Sequence, residues 1–155
     1  ALGELAAREL IRREAEAHLV GLLRHVACID TESGEEFRFH LDDPASGWYW
    51  QRDVLDWWIG GRTTVVLKAR QLGITWLAGG FALWHLLFRP GTRVLAVSIN
   101  EKEASKLVRR IWAQYKSLPA GLCDVRVLKP TRGLEPSAAS RWRSPPPRSA
   151  PCTAK

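Results

Sequence analysis

At 155 residues the chain has the size of one ordinary domain, and an apolar content of 46% is enough for a core. Cys28, Cys123 and Cys152 have neither metal nor redox spacing and are odd in number, which excludes a disulfide framework and implies a reducing compartment; no further ligands complete a zinc site around His25 and Cys28. The net charge of +7 is unevenly placed: residues 1–60 hold 6 Arg/Lys against 12 Asp/Glu (−6), and residues 61–155 hold 17 against 4 (+13), so the second part suits a polyanion or carries solvated cationic faces.

Residues 2 to about 23 read as one amphipathic helix, with Leu2, Leu5, Leu10, Leu19, Leu22 and Leu23 as apolar positions and Glu4–Arg8 and Glu9–Arg13 spaced i, i+4. Residues 24–41 read as a β-hairpin, with Val26–Asp30 as one arm, Thr31–Gly34 as the turn and Glu36–Leu41 alternating as the other arm. His25 and His40 read as structural or surface residues. After the Asp42–Gly47 loop a helix is expected from Tyr49 to Ile59, with Trp57 and Trp58 in the core. Trp48, Tyr49 or Trp50 could flank a base, and the Gln51 amide has the donor and acceptor that match an adenine edge.

Thr63 to Leu67 is short, β-branched and apolar, the pattern of a buried strand. Ile74 to Phe88 is apolar on most faces and reads as a buried helix. Its apolar run is interrupted by His85 and closed by Arg89–Pro90, too short to span a bilayer, and no signal-peptide pattern is present. Between strand and helix lies Lys68-Ala69-Arg70-Gln71-Leu72-Gly73-Ile74-Thr75. A polar turn entering a helix is the setting of a phosphate loop, because the first N–H groups and the helix dipole both favour an anion. Against the pattern G-x-x-x-x-G-K-[ST], Gly73 and Thr75 fit, Lys68 replaces the first glycine and Ile74 the lysine. The long Lys68 stem can reach β/γ-phosphates from the front of the loop, the Thr75 hydroxyl suits Mg²⁺, and the Arg70 guanidinium suits a γ-phosphate. The plain alternative is a cationic strand end followed by a helix, with Arg70 in an ordinary ion pair.

Arg93 to Ser98 reads as a second buried strand. The helix from about Asn100 to Ser117 has Asn100 as N-cap and Glu103 at N3 in a capping-box-like pair, an apolar face of Leu107, Val108, Ile111, Trp112 and Tyr115, and a cationic face of Lys102, Lys106, Arg109, Arg110 and Lys116. From Pro119 on lie seven of the nine prolines, and after Glu135 no acidic residue. Val125–Leu128 suits one more short strand, beyond which disorder, or a frameshifted reading of GC-rich DNA, is expected.

Lys68 to Trp76 resembles the deviant Walker A loop of the large subunit of tailed-bacteriophage terminases, the DNA-packaging motors. Trp48 to Leu55 resembles the adenine-recognition segment of that family, and Val94 to Ser98 with the helix after it resembles its second strand and helix. The resemblance covers roughly residues 24–118. It implies a partial P-loop NTPase of the ASCE type, an α/β fold with a Rossmann-like parallel sheet. Residues 1–41 form its N-terminal helix and hairpin, 42–118 an incomplete ATPase domain, and 119–155 a basic tail.

The implied cofactors are ATP and Mg²⁺, held by Gln51, Lys68, Ala69, Arg70, Gln71, Leu72, Gly73, Ile74 and Thr75, with Arg70 catalytic and Thr75 on the metal. The implied partners are double-stranded DNA, the portal protein, the small terminase subunit and further copies in a ring, in the cytoplasm of a bacterial host and away from membrane. A Walker B run ending in Asp-Glu is missing after Ile99, and Asp124 and Glu135 alone cannot supply a nuclease metal cluster. Hydrolysis by this stretch alone is therefore not expected. A helicase-like ATPase and a non-enzymatic, basic nucleic-acid-binding prophage remnant are the alternative readings.

Overall fold

The computed structural model describes residues 2–29, 34–119, 122 and 142–143. The first helical stretch is two helices. α1 spans Leu2–Ala17 and α2 spans Leu19–Leu23, separated by His18 in an extended conformation (φ −134°, ψ 125°). Gly21 explains the break. A Cβ there would lie 2.8 Å from the Glu14 carbonyl oxygen, so only a glycine lets α2 fold back on the end of α1. The bend turns Leu19, Leu22 and Leu23 into the core, while residues 3–10 of α1 stay exposed.

The expected hairpin is present as β1 (Ala27–Ile29) and β2 (Glu36–Arg38), antiparallel with Cys28 opposite Phe37; its turn residues 30–33 lie outside the described residues. Cys28 is fully buried, and burial pushes its thiol up to about 12, which makes it an inert core residue. α3 covers Trp50–Ile59. Its buried positions Gln51, Val54 and Leu55, with half-buried Trp58 one turn on, share one helix face. Trp57 falls off that face and is 49% exposed, contrary to its expected place in the core, whereas Trp58 meets Phe81 edge-to-face at 5.5 Å.

α4 (Ile74–Phe88) is the central element, with Trp76, Leu77, Gly79, Gly80, Ala82, Leu83, Trp84 and Leu86 buried. It packs against α2, α3 and α5, the last spanning Glu101–Ser117. The Trp84 indole N–H donates to the Ala15 carbonyl at 2.8 Å and ties α1 to α4. Fully buried Gln114 of α5 donates through Nε2 to the Trp76 carbonyl at 2.9 Å, and its Oε1 has no partner. Ser117 accepts the Ala27 N–H at 2.9 Å and donates to the Gln114 carbonyl at 2.7 Å, fastening β1 to the end of α5. Asn100 caps α5 by accepting the Glu103 N–H at 2.9 Å, while the Glu103 side chain goes to Lys106 instead of back to the cap.

The two expected buried strands take a different form. Residues 63–67 form no paired strand among the described residues, and their exposure alternates. Of 93–98 only β3 (Arg93–Val94) is paired, antiparallel to β4 (Trp142–Arg143), which lies within the expected tail. Among the described residues the sheets are two antiparallel pairs, β1–β2 and β3–β4, and no parallel sheet is formed. A parallel pairing needs a neighbouring strand on at least one edge, and among the described residues none pairs with 63–67. The candidate strand at 125–128 lies outside the described residues.

The packing makes a direct prediction. A Cβ on Gly79 would lie 2.6 Å from Gln114 Oε1, and one on Gly80 would collide with Leu23 Cδ2. Gly80→Ala should lower stability by about 1–3 kcal/mol, read as a shifted urea midpoint, despite the better helix propensity of alanine. An unchanged midpoint would mean that α2 and α4 are not in this close contact.

Candidate functional site

Lys68 to Thr75 leads from the unpaired extended segment into the N-terminus of α4. Gly73 caps the helix in the left-handed region (φ 69°), and Gln71 adopts φ 63°, the sole non-glycine positive φ among the described residues. Left-handed backbone costs a side-chain-bearing residue roughly 1–2 kcal/mol, and such strain concentrates in loops held for a purpose. The first helical bond of α4 is Leu77 N–H to the Gly73 carbonyl at 2.9 Å. The N–H groups of Ile74, Thr75 and Trp76 have no acceptor among the described residues. A helix of this length with free leading donors favours an anion at that end.

Gln51 reaches this loop from α3. It is 1% exposed; its Nε2 donates to the Leu72 carbonyl at 2.9 Å, and its Oε1 is buried without a partner. An unmatched buried acceptor costs roughly 1–3 kcal/mol, here as at Gln114 Oε1 in the core. Trp48 completes the corner. A Cβ on Gly73 would sit 3.1 Å from Gln51 Nε2 and 3.1 Å from the Trp48 ring, so glycine is required both for its φ and for the space. The structure thus joins two stretches about twenty positions apart, Trp48–Gln51 and Leu72–Gly73.

The charged members are less engaged. Lys68 Nζ donates to the adjacent Ala69 carbonyl at 3.0 Å, a single exposed bond that is easily exchanged for a stronger anionic partner. Arg70 is exposed and makes no ion pair among the described residues, where the plain reading assigned it one. Thr75 is exposed on the first turn of α4, and Ala69 and Gln71 are exposed backbone contributors. No group of three or more His, Cys, Asp or Glu among the described residues can hold a metal by itself. Mg²⁺ at this loop would rest on the Thr75 hydroxyl and on phosphate oxygens, which suits an ion that keeps most of its water.

A second feature was not visible in the sequence. Lys106, Arg109 and Arg110 of α5 rim a depression of about 250 Å³ whose floor is Ile29, Trp76 and Ala113. The Arg110 guanidinium lies 5.6 Å from the Trp76 ring centroid. Lys106 is paired with Glu103 at 2.6 Å, whereas Arg109 and Arg110 make no ion pair among the described residues. The i, i+3, i+4 spacing of the cations was legible; the aromatic floor needs β1, α4 and α5 together.

Compared with protein-family profiles, curated proteins and solved structures, the chain gives no match. No helix among the described residues is long and apolar enough to cross a membrane.

Gln51→Leu tests the corner. It removes the bond to Leu72 and the unmatched acceptor together while keeping the volume, so the net change in stability should stay within about 1 kcal/mol, while amide exchange at Leu77, whose N–H bonds the Gly73 carbonyl, should speed up. Unchanged exchange would show that the amide does not hold the loop.

Proposed function

We propose that this chain carries the nucleotide-binding portion of a DNA-packaging ATPase of the terminase large-subunit type. The observation that carries the proposal is the buried, unpartnered Gln51 Oε1 beside a helix N-terminus with free N–H groups. ATP satisfies both: the exocyclic amine of adenine is a donor for Gln51 Oε1, and its phosphates are acceptors for the N–H groups of residues 73–76. Trp48, 37% exposed, offers a face to the base. Lys68 would exchange the Ala69 carbonyl for phosphate oxygens, the Thr75 hydroxyl would help to hold Mg²⁺, and Arg70 would stabilise charge on the γ-phosphate.

Mg²⁺, if bound, would supply neutralisation of phosphate charge. Positioning by the chain is not hydrolysis: the sequence offers no Walker B carboxylates to order the metal shell or activate water, so turnover by these residues alone is expected to be negligible. In the complete motor, ATP hydrolysis would drive double-stranded DNA through a portal into a procapsid, with a small terminase subunit and a ring of copies as partners, in the host cytoplasm. The unpaired Arg109 and Arg110 favour a second reading, a basic nucleic-acid-binding module without ATPase chemistry.

Titration calorimetry with Mg·ATP separates the two. Lys68 and Arg70 are exposed, so their replacement leaves the core intact. Lys68→Ala should weaken ATP binding at least about tenfold, consistent with loss of a charge-assisted contact. Equal affinity in parent and variant would refute the site. DNA binding that is insensitive to Lys68→Ala and falls steeply with salt, without ATP binding, would establish the second reading.

A further inference from the structure

Three elements meet around one depression of about 250 Å³. Lys106, Arg109, Arg110 and Ala113 of α5 line it together with Ile29 of β1 and Trp76 of α4. The four α5 residues are spaced three or four positions apart, which places them on one helix face. Lys106 is held by Glu103 at 2.6 Å, whereas no carboxylate forms an ion pair with Arg109 or Arg110 among the described residues. The Arg110 guanidinium stands over the Trp76 ring, its Cζ 5.6 Å from the centroid, where the negative ring face attracts a cation. Trp76 is 9% exposed, so an incoming group meets this guanidinium before the indole face.

Size and chemistry together select the ligand. The depression is smaller than the roughly 300–1,000 Å³ of pockets for drug-sized molecules, so it suits one planar ring rather than a larger body. A guanidinium offers a flat surface on which such a ring stacks, and Ile29 and Ala113 give the ring apolar neighbours. The unpaired charge on Arg109 suits a phosphate next to that ring. A duplex keeps its bases stacked and paired, out of reach of such a pocket, whereas a single strand can present them. We infer that this depression takes one unstacked base of a single-stranded nucleic acid, with the base on Arg110 above Trp76, between Ile29 and Ala113, and the adjoining phosphate on Arg109. The inference goes beyond a basic module that reads charge alone, and it holds with or without a nucleotide at residues 68–75.

Fluorescence anisotropy on the full chain, without ATP, tests it with a labelled oligothymidylate of about 12 nucleotides, within the span of ordinary single-strand sites. The comparison probes are the same backbone with abasic sites and the duplex with oligoadenylate. Charge alone favours the duplex, which has the higher charge density. The parent should instead bind the single strand at least about fivefold more tightly than either comparison probe. Arg110→Lys keeps the charge and removes the plane, so it should weaken the single strand at least about threefold and leave the abasic probe unchanged. Arg109→Gln should weaken both and lower the salt slope by about 0.7. Neither guanidinium is ion-paired among the described residues, so far-ultraviolet circular dichroism should not change in either variant. A parent that does not bind the single strand, or binds duplex or abasic probe as tightly, would overturn the inference. So would an Arg110→Lys effect no larger than that of Arg8→Gln on α1.

Discussion

The close approach of helices at Gly79 and Gly80 is the constraint on which the rest depends. These two residues leave a bare strip on α4 into which Leu23 of α2 and Gln114 of α5 fit. Gln114 then reaches the Trp76 carbonyl, and Ser117, one turn on, reaches β1. A side chain on the strip would have to displace the Leu23 or Gln114 side chain. The strip begins one turn beyond the loop that opens α4, so the same contact that closes the core also fixes the direction of the helix N-terminus.

The loop is held from the other side by Gln51. One amide does two things: Nε2 ties the Leu72 carbonyl, and Oε1 is left as a buried acceptor. The first is structural and the second is an incomplete polar contact, the kind of local inconsistency that marks binding sites. Gln71 in the same loop is left-handed. The loop cations are in a different situation. Lys68 and Arg70 are exposed, Lys68 with one bond to the Ala69 carbonyl and Arg70 without an ion pair among the described residues.

The unfinished part of the fold lies opposite the core. Residues 63–67 and 93–97 have one face on the helices and one in solvent. This asymmetry accounts for the gap between an expected parallel sheet and the two short antiparallel pairs among the described residues. A parallel sheet is assembled from non-local strands, and local pattern specifies the strands without supplying their neighbours.

The sequence by itself determined the elements whose signals are local. Apolar density set α4 at Ile74–Phe88, the Asn100 cap set the start of α5, and alternation set the hairpin. It also marked Gln51 and the 68–75 loop as candidates, through residue chemistry and the family pattern. Tertiary structure alone decided the break at His18, which follows from Gly21 meeting Glu14, and the outward turn of Trp57, which follows from the face that α3 presents to α4. It alone decided that Gln51 is buried against Leu72, that Arg70 has no ion pair among the described residues, and that Arg109 and Arg110 line a depression with Trp76. Periodicity reports which side of an element avoids water. Which neighbour covers that side, and which polar atom is then left without a partner, depends on contacts between residues far apart in the chain.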